Sequence, residues 1–398
     1  MKFVRTMPLR RLAALLVGVV VLASGATAIA FAASGGGPVP PAKPLDRAAL
    51  DALNAPSVPG VTARIKFTNR LIDSGGLEGA SPILTGASGR LWYAEDGRVR
   101  LELQSSGGDA QVVFDRGRVW VYDASSNTVY RGSLPRGRGE RSGSDADKPV
   151  TLADVQRAIS DIAGQADLSG AIPGDVGGRP VYEVRVSPRR DGGLVGAGAL
   201  AWDAVRGVPL RLAVYARRDS TPVLELEATD VSYGPVAAST FDVLPPSDAK
   251  TVQVETPARS RGDGEARRGE RNRVTGKAAV AKALPFRLAA PARLGDLSRQ
   301  DVRLLDLHGS RAALVTYGHG LGGIAVIERA ADVGDSKAGA DSGDGLRLPE
   351  VSVNGTSAQE LDTALGTLLR FTRGGISYTV VGSVSPAAAK AAARALTR

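Results

Sequence analysis

The sequence predicts an α+β protein in which a large, curved antiparallel half-barrel sheet with covering helices is followed by a smaller α+β domain. Short segments of alternating apolar and polar residues recur along most of the chain, and glycine-rich turns separate them. Such close spacing is typical of antiparallel hairpins. The chain has 398 residues, which is enough for two domains.

Composition excludes several classes of chemistry. The chain has no cysteine, which excludes disulfides, thiolate metal sites and a cysteine nucleophile. Its two histidines leave little room for a histidine-built metal site. We therefore expect no metal and no cofactor.

The pattern of residues at the amino terminus indicates an export signal. Four cationic residues precede an uncharged stretch that runs from Leu12 to Ala42, and small residues follow at alternate positions. The apolar part at 1–33 is either cleaved or kept as a membrane anchor, because it is also long enough to span a bilayer. A Gly/Pro tether follows at 34–45. We expect the rest of the chain to lie outside the cytoplasm, secreted or anchored, with no nucleic acid as partner.

The predicted sheet domain covers 46–256. In the segment 97–104 the alternation is strict, so one face of that strand is polar and the other is covered. A helix is predicted at 151–165, where Thr151 is an N-cap and Asp154 lies at the third helical position. Strands are predicted at 61–68, 97–104, 110–115, 118–123, 127–132, 180–187, 197–203, 209–216 and 222–232.

An arginine-rich stretch at 257–273 separates the two domains. It has no apolar side chain larger than Ala or Pro, so we predict a disordered linker, and the loop 134–149 is similar in kind. The leader and this linker carry most of the net charge of +9. No basic binding face is therefore predicted on either folded domain.

The predicted second domain covers 274–398. It begins with an alanine-rich helix at 275–283 and ends with a helix that starts at Pro386 after Ser385. The strands between them are predicted at 301–308, 311–318, 322–329, 345–353, 367–373 and 376–382. A small sheet packed against helices follows from this order.

Two stretches resemble known families. Asp203, Gly207 and Pro209, followed by Phe241 and the Pro245-Pro246 pair, are similar to the closing strands of the LolA-type lipoprotein-carrier fold. The stretches 317–329 and 376–396 resemble the second domain of the RseB/MucB family of sigma-factor regulators. The resemblance covers nearly all of the exported chain. It implies a two-domain envelope protein that binds lipid or an acylated lipoprotein and contacts a membrane-bound anti-sigma factor.

The residues themselves favour binding over catalysis. A Ser/His/Asp triad would need His308 or His319, and the chain has no Gly-x-Ser-x-Gly elbow. The GHGLGG segment at 318–323 lacks the Lys-Ser/Thr of a phosphate loop and is predicted to be a hairpin turn. We expect no catalytic residue, and an exported hydrolase stays open only if one of the histidines proves essential.

A one-sided curved sheet can hold an apolar ligand on its concave face. For each candidate residue the alternative is an ordinary packed core, and Trp120 and Tyr122 fit either face because Val119 and Val121 alternate with them. The candidates are Val99, Leu101, Leu103, Val112, Phe114, Trp120, Tyr122, Leu210, Leu212, Val214, Leu224 and Leu226. A glycine-containing lid is predicted with Leu71, Ile72, Leu77, Ile83 and Leu84.

Two functional hypotheses follow. The first is a non-enzymatic carrier that holds acyl chains on the open sheet. The alternative is a regulator that docks to an anti-sigma factor without bound lipid.

Overall fold

The computed structural model describes residues 37–72, 81–115, 117–133, 151–189, 193–254, 274–307, 310–331 and 348–397. The predicted leader at 1–33, the loop 134–149 and the linker 257–273 lie outside these residues. The chain forms two compact units, one of Met1–Arg190 and Gly196–Arg259, the other of Asp191–Val195 and Ser260–Arg398. Among the described helices, none combines the length and hydropathy needed to cross a membrane.

The larger unit contains a sheet of thirteen strands. Its strands are β1 (Gly60–Asn69), β2 (Ala87–Ala94), β3 (Val99–Ser105), β4 (Gly108–Asp115), β5 (Arg118–Asp123), β6 (Thr128–Ser133), β7 (Ala166–Leu168), β8 (Ile172–Val176), β9 (Arg179–Pro188), β10 (Val195–Asp203), β11 (Pro209–Ala216), β12 (Pro222–Tyr233) and β13 (Lys250–Val254). The order across the sheet is β13-β6-β5-β4-β3-β2-β1-β12-β11-β10-β9-β7, with β8 also on β9. β1 pairs antiparallel with β2 and β12, whereas β13 runs parallel to β6.

The helices that accompany this sheet in the described part of the chain are α1 (Leu45–Asn54), α2 (Pro82–Thr85) and α3 (Leu152–Ala163). The predicted N-cap of α3 is confirmed, because the Thr151 hydroxyl accepts the Asp154 N–H at 3.3 Å and the Asp154 carboxylate accepts the Thr151 N–H at 3.1 Å. This reciprocal pair satisfies two main-chain donors that a helix start leaves free.

The helices bury apolar residues of the sheet. Ala48 of α1 packs with Tyr182 and Trp202, which are paired across β9 and β10. Ile162 of α3 packs with Val186. These contacts place α1 and α3 over the same end of the sheet.

The smaller unit is an eight-stranded antiparallel sheet with two helices. Its helices are α4 (Lys277–Ala283) and α5 (Pro386–Leu396). Its strands are β14 (Arg293–Leu294), β15 (Leu297–Leu307), β16 (Ser310–Tyr317), β17 (Ile324–Ala330), β18 (Glu350–Val353), β19 (Thr356–Thr363), β20 (Gly366–Arg373) and β21 (Ile376–Gly382). The order is β14-β15-β16-β17-β21-β20-β19-β18. The α+β fold class predicted from the sequence is thus confirmed.

The core of this unit is a row of apolar side chains across five strands. Val302, Val315, Val326, Val380 and Leu369 are successive cross-strand partners and are almost fully buried. Val280 of α4 and Leu396 of α5 belong to the same cluster. Both helices therefore lie on one face of the sheet.

The Glu328 carboxylate is fully buried in this core. The Glu328 oxygens accept the main-chain N–H groups of Ala289 at 2.8 Å and Ala290 at 3.0 Å. Burial raises the pKa of Glu328, and these two hydrogen bonds oppose that rise. The side chain holds the segment between α4 and β14 against the sheet.

Gly89 allows β2 and β3 to approach closely, because a Cβ there would lie 1.8 Å from the carbonyl oxygen of Glu102. We predict that Gly89→Ala lowers the free energy of unfolding by roughly 3 kcal/mol, as expected for forced overpacking. Gly174→Ala is the control, since its Cβ would meet Val181 at an ordinary 3.6 Å. Urea titration measures both, and equal stability of the two variants would contradict the close approach.

Candidate functional site: the apolar face of the larger sheet

The predicted ligand face begins on β2 to β4. Leu101 is paired with Leu91 on one side and Val112 on the other. Directly paired residues point to the same face of a sheet. By the same registers Val99 pairs with Phe114, and Leu103 lies two residues along from Leu101. These five predicted residues therefore share one surface.

The surface continues across the centre of the sheet. On β12, Leu226 is paired with Phe67 of β1 and with Leu212 of β11, and Leu224 is paired with Val214. Phe67 is in turn the partner of Ala87 on β2, which joins the two halves. We call this surface the apolar face. It contains ten of the predicted residues: Val99, Leu101, Leu103, Val112, Phe114, Leu210, Leu212, Val214, Leu224 and Leu226.

Trp120 and Tyr122 lie on the opposite face. Trp120 is paired with Val113 and Tyr122 with Gln111, whereas the alternate positions Val119 and Val121 are paired with Phe114 and Val112. The strand can present only every second side chain to one face. The two aromatic residues are therefore removed from the candidate set, and the two valines take their place.

The apolar face is only partly covered. Most of its residues are half-buried, while Leu103 and Leu210 are fully buried. Tyr130 of β6, the partner of Val121, is 38% exposed. Apolar surface therefore stays accessible to water at the β3 to β6 end.

Few polar groups interrupt this end of the face. Among the described residues of β3 to β5, the only charged residue on this face is Asp123, at the end of β5. The Asp123 carboxylate accepts hydrogen bonds from Ser125 within the following turn. A ligand here would be recognised by its apolar part.

The predicted lid is placed only in part. Ile83 and Leu84 form most of the single-turn helix α2, and Ile83 packs against the core under the apolar face. The Asn69 side-chain amide donates to the Ile83 carbonyl at 2.7 Å and so ties α2 to the end of β1. Leu71 and Ile72 follow β1 and are half-buried, whereas Leu77 lies outside the described residues. The role of all five as a lid stays a prediction.

The opposite face is closed near β3 by the segment that follows β12. Phe241 of this segment is buried, and the Arg98 guanidinium stacks over its ring at 4.7 Å. Arg100 donates to the Thr240 carbonyl at 2.7 Å. These contacts direct the chain back towards β6, where β13 joins the sheet in parallel.

An ion-pair cluster closes the opposite face near β9 to β12. The Arg211 guanidinium donates to Glu183 at 2.6 Å, to Glu225 at 2.8 Å and to the Tyr215 hydroxyl at 2.8 Å. Burial raises the pKa of Glu183, and the nearby Arg211 charge opposes that rise. Burial likewise raises the pKa of Glu227, whose carboxylate lies 3.6 Å from Arg211. The cluster thus pairs the Arg211 guanidinium with two carboxylates and a hydroxyl of the same face.

Of the two histidines considered for catalysis, the structure describes only His319. His319 is exposed in the turn between β16 and β17, where GHGLGG forms the predicted hairpin turn. His308 lies outside the described residues. Within the described ranges, no group of three potential metal ligands occurs.

The smaller unit has a groove of its own that the sequence analysis missed. About 730 Å³ in volume, it lies at the end of β16, β17, β19, β20 and β21. Ala325, Val381, Leu368 and Leu361 form a cross-strand row in its wall, on the face opposite the core row. This row is recognisable only once the pairing of the strands is known, because its four residues come from separate parts of the sequence.

The fold and the apolar face together define a sheet-rich protein of two compact units. No protein-family model matches the sequence. No curated protein matches it either.

Solved structures similar to the chain include MucB and a LolA superfamily protein. The MucA/MucB complex of Pseudomonas aeruginosa matches over 88% of this chain and 95% of that chain, at 18% identity and a TM-score of 0.39. An uncharacterized conserved protein of Thermus thermophilus matches over 52% and 98%, at 14% identity and a TM-score of 0.33. A LolA superfamily protein of Nitrosomonas europaea matches over 51% and 99%, at 12% identity and a TM-score of 0.20.

The buried ion pairs of Arg211 should contribute to the free energy of unfolding. We predict that Arg211→Met lowers the free energy of unfolding by about 3–5 kcal/mol near pH 7, because buried carboxylates lose their partner. A raised carboxylate pKa favours the protonated folded form, so the loss should shrink as the pH falls towards about 5. Urea titrations at both pH values measure it.

Arg189→Met is the matched control. Arg189 pairs with Asp167 at 2.8 Å, but both side chains are about half exposed. We expect a loss under about 1 kcal/mol at both pH values. A similar loss in the two variants would show that the Arg211 cluster is not a buried network.

Proposed function

We propose that this protein is an exported, non-enzymatic lipid- or lipoprotein-binding protein that holds acyl chains on the apolar face. The half-buried, uncharged surface around Leu101, Val112 and Val121 is the observation that carries the proposal. Its location outside the cytoplasm rests on the leader predicted at 1–33.

The physical chemistry of the face favours an extended apolar ligand. Each methylene removed from water contributes about 0.8 kcal/mol, so chain length would determine affinity without a charged anchor. A row of pairs from β2 to β5 provides a continuous surface along which such a chain can lie. Catalysis is not part of the proposal: among the described residues of this surface on β3 to β5, Asp123 is the only charged group, and the hydroxyl of Ser105 at the end of β3 accepts the Gly107 N–H.

Native mass spectrometry and solvent extraction of the exported protein test the proposal directly. We expect bound lipid, or uptake of a fluorescent fatty acid by protein from which lipid has been removed. A protein that repeatedly carries no lipid and takes up no probe would rule out the carrier function.

A pair of substitutions on β5 tests the face itself. We predict that Val121→Asn weakens probe binding by about tenfold, because a polar amide replaces apolar contact area. Trp120→Asn is the control on the same strand: Trp120 is also half-buried but points to the opposite face, so binding should stay within about twofold. Fluorescence titration measures both, and an equal loss would contradict the assignment of the face.

A second candidate function is docking to a membrane-bound anti-sigma factor, with a role in envelope-stress regulation. The groove of the smaller unit favours it, because a row of exposed or half-buried apolar side chains is typical of a protein-binding surface. Val381 is 39% exposed in that row.

We predict that Val381→Arg abolishes recovery of an anti-sigma factor in crosslinking pull-downs, because a charge would have to be buried in the contact. Arg373→Gln, an exposed change at the far end of the neighbouring strand β20, should leave recovery unchanged. Recovery of an anti-sigma factor with no bound lipid would favour docking over carriage. Undiminished recovery with Val381→Arg would exclude this groove.

A further inference from the structure

A cationic surface lies along α4, the loop that follows it and β15 of the smaller unit. The described residues between 274 and 311 include seven cationic and three acidic side chains. Six of the cations are exposed. We call these six the cationic edge: Lys277, Lys282, Arg287, Arg293, Arg303 and Arg311.

The fold brings these residues together from separate elements. Thr275, just before α4, forms a bridge with Arg303 on β15. Arg311 at the start of β16 donates to the carbonyl of Ala283 at 2.8 Å, at the end of α4. Lys277 reaches the Ala289 carbonyl at 3.2 Å in the loop. The helix, the loop and the start of β16 thus form one continuous edge, while Arg303 lies beside them on the other face of β15, because it alternates with the core residue Val302.

Positive charge on this edge is poorly compensated. Lys277 and Arg293 donate to main-chain carbonyls, which carry no formal charge. Asp301 pairs with Arg303, and Asp306 lies directly opposite Arg311 in the strand register. With both of these pairs removed from the count, Lys277, Lys282, Arg287 and Arg293 of the cationic edge remain against Asp296.

We infer that the cationic edge binds the anionic headgroups of a phospholipid membrane. Between its two lysines α4 exposes only Ala278, Ala279 and Ala281, since Val280 is fully buried. Such a helix can approach a planar surface without obstruction. Cationic side chains near an anionic bilayer are attracted to it, and the attraction is screened by salt.

The same surface is unsuited to a protein partner. Protein interfaces concentrate their affinity in large apolar or aromatic anchors at the centre. The large hydrophobic side chains that are exposed in the described part of the chain are Val39, Tyr130, Val205, Leu244 and Val381, all outside 274–311. A diffuse array of negative headgroups fits the edge better. This inference does not depend on the proposed acyl-chain binding.

Vesicle co-sedimentation tests the inference with the exported form of the chain recovered from expressing cells. Wild-type protein should bind vesicles of phosphatidylglycerol and phosphatidylcholine and release them as salt is raised. The triple variant Lys277→Gln, Lys282→Gln, Arg287→Gln should bind about a hundredfold more weakly, from about fivefold per cation. Vesicles of phosphatidylcholine alone should bind both proteins equally weakly.

A matched triple variant removes the same charge elsewhere. Arg64→Gln, Lys66→Gln and Arg90→Gln change exposed cations on β1 and β2 of the larger unit, and binding should stay within about threefold. Equal losses in the two triples, or no preference of the wild type for anionic vesicles, would overturn the inference. So would tighter binding to soluble polyglutamate than to vesicles, which would indicate an acidic protein partner. Salt release of the wild-type protein provides a test that does not depend on variant folding.

Discussion

The length of the apolar face is the constraint on which the larger unit depends. Twelve strands lie along the main path of its sheet, and neighbouring strands are about 4.8 Å apart, so the face is roughly 50 Å across. A helix covers about 10 Å, and α2 has only 4 residues. Among the described residues two full helices and one helical turn accompany the sheet, so roughly half of the face has no described helical cover. Val99, Leu101 and Val112 are only half-buried because the described helices are too few to cover the whole face.

The opposite face carries polar and aromatic groups that contact one another within the sheet. Arg211 neutralises carboxylates from β9 and β12, and Phe241 packs beneath Arg98. Polar groups that are paired in this way bring no demand for a ligand. This contrast supports the proposal that a ligand binds the apolar face, and it is the reason why pH-dependent stability is expected from the ion pairs of the opposite face.

Local patterns predicted much of this structure, and pairing between distant segments accounts for the rest. The alternation around Leu101 and the cap at Thr151 depend only on neighbouring residues, and both are found as expected. The strand β2 was missed because its Ala-Ser-Gly start is typical of a turn, and β13 because its partner β6 is more than a hundred residues away. The face of Trp120 was undetermined because both alternating sets on β5 are apolar, so only the register with β4 decides it.

The distribution of charge in the smaller unit also depends on contacts between distant segments, which the sequence alone does not reveal. Averaged over the sequence, the excess of cations outside the leader and linker is small, and no basic face was expected. Folding separates the charges, however, since the bridge between Thr275 and Arg303 sets α4 beside β15 while Glu328 is withdrawn into the core. A weak average can therefore coexist with a local field strong enough to attract an anionic surface. Net charge constrains solubility, but the contacts that join α4 to β15 and β16 determine which cations become neighbours.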